Sequence, residues 1–121
     1  MITLKRKIGN LGEGLAKDYL KKKGYKIIDQ NYFWQGGEID LIALDQGDLV
    51  FVEVKTRTEN SYGWPEQAVN FSKQKKIFKT AERYLQDYKG AVKNYRVDVI
   101  SVEINKIKKK AEIRHFKNNL Y

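Results

Sequence analysis

Residues 37–55 read GEIDLIALDQGDLVFVEVK. Two runs rich in branched and aromatic residues, Glu38 to Leu44 and Leu49 to Lys55, flank Asp45-Gln46-Gly47-Asp48, whose central glycine is turn chemistry, so the stretch is predicted to form a β-hairpin. A two-residue loop at Gln46 and Gly47 pairs Asp45 with Asp48 and sets the remaining register: Leu44 opposite Leu49, Ile42 opposite Phe51, Asp40 opposite Glu53. Alternation then places Ile39, Leu41, Ala43, Val50, Val52 and Val54 on one wholly apolar face. The other face carries Leu44, Leu49, Ile42 and Phe51, then Asp40, Glu53, Glu38 and Lys55. Half of it is also apolar, so the hairpin is expected inside a sheet with something packed on each side.

From Gly37 to Val54 there are five carboxylates, Glu38, Asp40, Asp45, Asp48 and Glu53, and no Lys or Arg, in a chain of 121 residues whose net charge is +9. The remainder therefore carries +14, nine plus five, which makes the molecule a basic body around one acidic hairpin. Asp45 and Asp48 suit the turn. The other three stand in strands, where Asp and Glu are depleted. Opposed residues of paired strands have Cβ atoms about 4.5–5.5 Å apart, and like charges there repel. A divalent cation, Mg2+ or Mn2+, held by the Asp40 and Glu53 oxygens would compensate, with Lys55 on the same face to meet a phosphate or orient a water. The competing interpretation has both carboxylates solvated at a sheet end beside lysines, with Glu38 a plain ion-pair partner of Lys55.

Outward from the hairpin, Ile8, Leu11, Leu15, Tyr19 and Leu20 recur at helical spacing, predicting a helix over Gly9 to Gly24 with Gly24 as its stop and Gly9 and Gly12 allowing close backbone approach. Tyr25 to Trp34 reads as an irregular or bulged strand. Thr56 to Asn70 lacks periodicity, holds the one proline, Pro65, and reads as a long loop carrying Tyr62 and Trp64. Ser72 is the expected N-cap of a helix to Tyr88 whose apolar face is Ile77, Phe78, Ala81, Tyr84, Leu85 and Tyr88. Tyr95 to Ile104 and Ala111 to Lys117 are the remaining predicted strands. The order is αβββαββ, an α/β fold in a single domain over residues 1–121, with a mixed central sheet flanked by helices.

Zero cysteines exclude disulfides, thiolate metal sites and a cysteine nucleophile. The first twenty residues lack an apolar leader core, and Leu49 to Val52 is far short of the ~18 apolar residues a membrane span needs, so a cytoplasmic protein without membrane contact is expected.

Asp40, twelve residues, then Glu53-Val54-Lys55 resembles the metal-binding signature of the PD-(D/E)xK nuclease superfamily, with Ile39 where the superfamily name places proline. Together with Gly12-Glu13, Gly37-Glu38-Ile39-Asp40-Leu41-Ile42, Ala68-Val69, the lysine-rich second helix and Arg96-Val97-Asp98-Val99, nearly the whole chain is similar to the small YraN family, a relative of archaeal Holliday-junction resolvases. The resemblance implies a restriction-endonuclease-like core and endonuclease activity on DNA, structured or branched DNA included. It implies that Asp40 and Glu53 hold the metal, that Lys55 positions the attacking water or offsets charge on the phosphate, and that Glu13 completes the catalytic set. A homodimer follows by analogy, because a junction has two strands to cut.

Lys73, Lys75, Lys76 and Lys79, with Arg57, form an expected phosphate track. Tyr62 and Trp64 either stack on splayed bases or anchor their loop. Arg96 and Asp98 read as a structural pair, and His115, the one histidine, as a strand-surface residue. Three functions compete: a magnesium-dependent endonuclease, a non-catalytic nucleic-acid-binding protein retaining a nuclease fold, and a basic component of an RNA–protein particle. The last leaves the carboxylates unexplained.

Overall fold

Thr3 starts the first helix: its Oγ1 accepts the Arg6 amide hydrogen at 3.1 Å, so α1 spans Leu4–Lys22, five residues earlier than the apolar spacing indicated. At the other end Gly24 takes φ +93°, its amide bonds Lys21 O, and the Tyr25 amide bonds Leu20 O, the paired closure that a left-handed glycine permits. The computed structural model, which describes residues 2–59 and 71–118, continues with β1 (Lys26–Trp34), β2 (Gly37–Asp45), β3 (Asp48–Thr58), α2 (Phe71–Asp87), β4 (Tyr95–Asn105) and β5 (Lys110–Phe116). Ser72 therefore lies inside α2 rather than capping it. Strand β3 also runs on through Thr58, into what read as loop.

The five strands stand side by side in chain order; β3 and β4 are parallel and every other neighbouring pair is antiparallel. The β2–β3 register is the expected one from Asp45/Asp48 to Leu41/Val52, closed by Gln46 and Gly47 at φ 52° and 90°, both left-handed as a two-residue hairpin turn requires. Strand β1 is bulged between Ile27 and Asp29.

One helix covers each face. On the α1 side Ala16 and Leu20 pack with Leu41, Ala43, Val50, Val52, Val54, Ile100 and Val102. On the α2 side Ile77 and Ala81 pack with Ile42, Leu49, Phe51, Val97 and Val99. The α2 stripe is the expected one. Leu11 is not in the core but 53% exposed, because the side of α1 turned to the sheet runs through Gly12, Ala16 and Leu20.

Two close approaches set the helices. A Cβ on Gly12 would lie 1.9 Å from Thr56 Oγ1, so α1 rests with its backbone on β3. A Cβ on Gly37 would lie 2.1 Å from Thr80 Oγ1, so α2 sits equally close on the start of β2. Gly9 has nothing within 4 Å of such a position, so the close approach expected there belongs to Gly12 alone of the two.

Ile39 departs from the expected face. It packs with Ile42, three residues on, in the α2-side core, which regular alternation forbids. The alternation slips at Asp40, opposite Asn31, whose φ of 51° takes it out of the strand conformation.

Overpacking costs typically about 1–3 kcal/mol, whereas an unhindered glycine-to-alanine change in a helix gains up to about 1 kcal/mol. Gly12→Ala is expected to lower the thermal unfolding midpoint by several degrees and Gly14→Ala, with nothing within 4 Å, to raise it.

Candidate active site

Where β2 and β3 part, a side chain replaces a backbone partner. In this ladder hydrogen-bonded pairs recur every second residue from Asp45/Asp48, so after Leu41/Val52 the Val54 amide would meet the Ile39 carbonyl. It donates instead to Asp40 Oδ2, at 2.7 Å. The slip that moves Ile39 to the α2 side thus leaves the Asp40 carboxylate bridging to the neighbouring strand, 9% exposed, with Glu53 beside it at 6%. Asp40 and Glu53 converge as expected, but through this bond and not as a ladder pair.

Glu53 is held by two ammoniums on one oxygen: Lys55 Nζ stands 3.1 Å and Lys73 Nζ 3.0 Å from Oε1. Lys55 therefore pairs with Glu53, not with Glu38 as expected. Glu38 Oε2 instead accepts from Asn31 Nδ2 at 3.3 Å, and the same amide nitrogen donates to Glu13 Oε1 at 3.0 Å. The Gly12–Thr56 contact carries Glu13 to this place, beside the hairpin as the resemblance implied, and the Gly37–Thr80 contact brings Lys73 and Lys76 over Glu53 from the other face. A cavity of about 160 Å3 is lined by Glu38, Asp40, Glu53, Lys73, Lys76 and Ile77 among others. On the α1 side a larger groove of about 580 Å3 is bordered by Glu13, Lys55, Arg57 and Lys5.

Burial, and then the charge of Glu53, push the Asp40 carboxyl up to about 8 against the pull of the Val54 amide, with Glu13 and Glu38 adding to the rise. Burial and the hydrogen bond to Lys73 lower the Lys55 ammonium. For Lys73, burial lowers the proton affinity, but Lys55 and Glu53 outweigh it and the group is raised. Lys55 is the more enclosed of the two, at 15% exposure against 43%.

Among the described residues no three His, Cys, Asp or Glu side chains stand as a ready ligand set. The donor chemistry nonetheless fits a hard divalent cation: magnesium takes one or two carboxylates from a protein and fills the rest with water and phosphate. Asp40 has one oxygen on Val54 and no hydrogen bond to the other among the described residues. Burial first, and then the neighbouring carboxylates, raise its proton affinity, and an ion would offset the second of these.

Lys75, Lys76 and Lys79 are exposed along α2, whereas Lys73 turns inward to Glu53. Arg57 binds Glu103 across β3 and β4, both Nε and Nη2 donating to Oε1, and its buried Nη1 has no partner among the described residues. Tyr62 and Trp64 lie outside the described residues.

His115 is no surface residue. Its side chain is 6% exposed, with Nε2 2.7 Å from Asp98 Oδ2 and its ring against Tyr19 and Tyr25. Asp98, wholly buried, also accepts from Arg96 Nε at 3.1 Å and from the Asn118 amide at 2.8 Å. Arg96 reaches on to Asp45, Asp48 and the Tyr25 hydroxyl, so the turn carboxylates have an ionic role besides their turn chemistry. Asp98 and Arg96 are the structural pair expected, enlarged into a network.

Asn31 and the inward role of Lys73 were not foreseen from the sequence. Lys73 carried a signal: it sits four residues before the buried Ile77 and seven before the buried Thr80, on the core side of α2. Asn31 carried a fainter one, a residue tolerant of left-handed backbone in mid-strand.

Residues 12–102 match the model of an uncharacterised protein family, UPF0102. UPF0102 proteins of Clostridium botulinum and Alkaliphilus oremlandii are similar to the chain, at 46% identity over 92% of this chain and 91% of the relative, and 45% over 95% and 98%. One from Caldanaerobacter subterraneus is 48% identical over 84% and 83%. Among solved structures, an fdxN element excision controlling factor protein from Anabaena variabilis superposes with a TM-score of 0.45 at 15% identity, covering 88% of this chain and 98% of that one. No helix among the described residues is long and apolar enough to cross a membrane.

Two predictions concern stability. A carboxyl raised from 3.8 to about 8 keeps its proton in the folded state where the unfolded chain has lost it, so its penalty is absent below pH 4, grows with pH and is complete above 8. Asp40→Asn, which retains an acceptor for Val54, should therefore gain on the wild type as pH rises from 5 to 9, by about 4 °C or more in unfolding midpoint. At Asp98 burial raises the carboxyl, but His115, the Asn118 amide and Arg96 outweigh it and hold the group low. The stabilisation is present above the unfolded value near 4 and is lost as pH falls through the lower folded value. Asp98→Asn should cost about 1.5–3 kcal/mol at pH 7 by removing the buried charge that accepts from Arg96, His115 and the Asn118 amide, in denaturant titrations whose gap from wild type closes in acid.

Proposed function

We propose that this chain, which belongs to UPF0102, the YraN family whose motifs its sequence carries, is a metal-dependent endonuclease that hydrolyses phosphodiester bonds of DNA, branched or junction DNA included. One observation carries the reading: Asp40, 9% exposed, is turned across the fork between β2 and β3 beside Glu53 and Lys55, in a chain whose remaining surface is strongly basic. A buried carboxylate pair that a fold brings together against its own repulsion, with an ammonium alongside, is a functional-site arrangement. The nuclease core is likewise part of this proposal.

Asp40 and Glu53 are the residues that would hold Mg2+ or Mn2+. Such an ion, when bound, supplies Lewis-acid stabilisation of charge on the phosphoryl oxygens and acidifies a water. Lys55 holds the attacking water or a non-bridging phosphate oxygen with a charged donor. Glu13, steadied by Asn31, faces the same place from α1 and accepts a water proton hydrogen bond. Water oxygen bonds to phosphorus, one ester P–O bond breaks, and the proton released by the water ends on the departing oxygen. The exposed Lys75, Lys76 and Lys79 on α2 hold the backbone of the substrate next to the cut without reading sequence.

A second reading has its own support. Because Glu53 already carries two ammoniums on one oxygen, at 3.1 and 3.0 Å, the alternative is a nucleic-acid-binding protein that keeps the architecture without the reaction. Purified protein incubated with branched, single-stranded and duplex DNA, with Mg2+, Mn2+ or chelator, decides between them. Metal-dependent cleavage that falls on the order of 100-fold or more in Asp40→Asn and Glu53→Gln supports the nuclease. Salt-sensitive binding with no cleavage by the wild type selects the second reading.

A further inference from the structure

Two lysines share a single oxygen of Glu53, at 3.1 and 3.0 Å. One ammonium balances one carboxylate, so the second is surplus to Glu53 and stands at the cavity that Asp40 and Glu38 also line. The two differ in mobility. Lys55 leaves a central strand, and its side chain is 15% exposed. Lys73 leaves a helix, is 43% exposed, and borders the cavity that also holds Asp40, Glu53 and Lys76. A lysine ammonium is a compact point charge on a flexible stem, the side chain best suited to take an ion's place and to leave it.

Resting on the cation reading above, we propose that Lys73 stands in for the divalent cation: its ammonium neutralises Glu53 while no ion is bound and is displaced from Glu53 when one binds, so that Lys73 sets how tightly the site holds its metal. The arrangement of the described acidic residues agrees with this. Glu53 lies under two ammoniums, Asp40 takes the Val54 amide, and Glu13 and Glu38 turn to the Asn31 amide. A doubly charged ion at Asp40 and Glu53 would repel an ammonium at 3.0 Å from Glu53, and of the two lysines the helix-borne one has open space to withdraw. Metal binding and the position of Lys73 are therefore linked: whatever holds Lys73 on Glu53 weakens the metal, and whatever draws it off, a phosphate included, strengthens the metal by the same factor.

The test is Mn2+ binding without nucleic acid, by calorimetry and by the loss of the free-ion spin-resonance signal, on the full chain. Lys73→Met removes the charge and keeps the stem; Lys73→Gln keeps a hydrogen-bond donor for Glu53 and serves if the methionine variant does not fold. Either should bind Mn2+ roughly tenfold more tightly than wild type, the size expected for losing one half-exposed competing ion pair. Lys22→Met, an exposed lysine at the C-terminal end of α1, should leave affinity unchanged, and Asp40→Asn should weaken it, which shows that the titrated ion is at this site. Affinity unchanged or weakened in folded Lys73→Met and Lys73→Gln, with wild-type binding intact, overturns the proposal and makes Lys73 an anchor of α2. No Mn2+ bound by wild type or by either Lys73 variant overturns the cation reading and this proposal together.

Discussion

A single hydrogen bond, from the Val54 amide to Asp40 Oδ2 at 2.7 Å, organises the centre of this molecule. It satisfies a backbone donor that would otherwise be left open where two strands separate, and an open buried donor is costly. Because a side chain does the satisfying, β2 is released from β3 at that point and Ile39 is free to join the α2-side core. The same bond fixes a carboxylate in a 9% exposed position where burial and neighbouring acids raise its proton affinity. Sheet architecture and site chemistry thus meet in one contact.

The molecule separates two uses of buried charge. On the α1 side Asp98 is fully compensated by Arg96, His115 and the Asn118 amide, and its carboxyl is held low. On the α2 side Asp40 has one amide donor and several acidic neighbours, and its carboxyl is driven high. Both are aspartates in adjoining parts of one sheet. Closed networks of the first kind tie elements together: Asp98 joins β4 to β5 and the residues after it, and through Arg96 to the hairpin turn. An incompletely compensated group of the second kind stores unfavourable energy, which is the usual condition of a site awaiting a ligand.

Element order, hairpin register and core stripes were legible in the sequence because they follow from local periodicity and turn chemistry: Gln46-Gly47 alone sets five paired positions. Convergence of Asp40 and Glu53 followed from that register, though the route differs. What escaped was non-local. That Leu11 faces water depends on Gly12 pressing against Thr56, a contact between residues far apart in sequence. That the His115 imidazole is enclosed depends on Tyr19 and Tyr25 packing against it. The start of α1 escaped because Thr3 is followed by the basic run Lys5-Arg6-Lys7, which masks the apolar period with charge.

The parallel pairing of β3 with β4 has a consequence for the order in which the protein assembles. The hairpin closes over a two-residue loop and can form within microseconds, while Leu49 meets Tyr95 only after the whole crossover containing α2 has been threaded. The hairpin brings Asp40 and Glu53 together first; Lys73 arrives with the crossover, and the β4 strand that encloses Glu53 arrives after it. During the early stage the carboxylates face water, where their repulsion is weak. Desolvation, which makes that repulsion severe, is completed by β4, the strand that follows the crossover carrying the neutralising ammonium. The chain's connectivity thereby lets the acidic centre become costly at the step when its counter-charge is already attached.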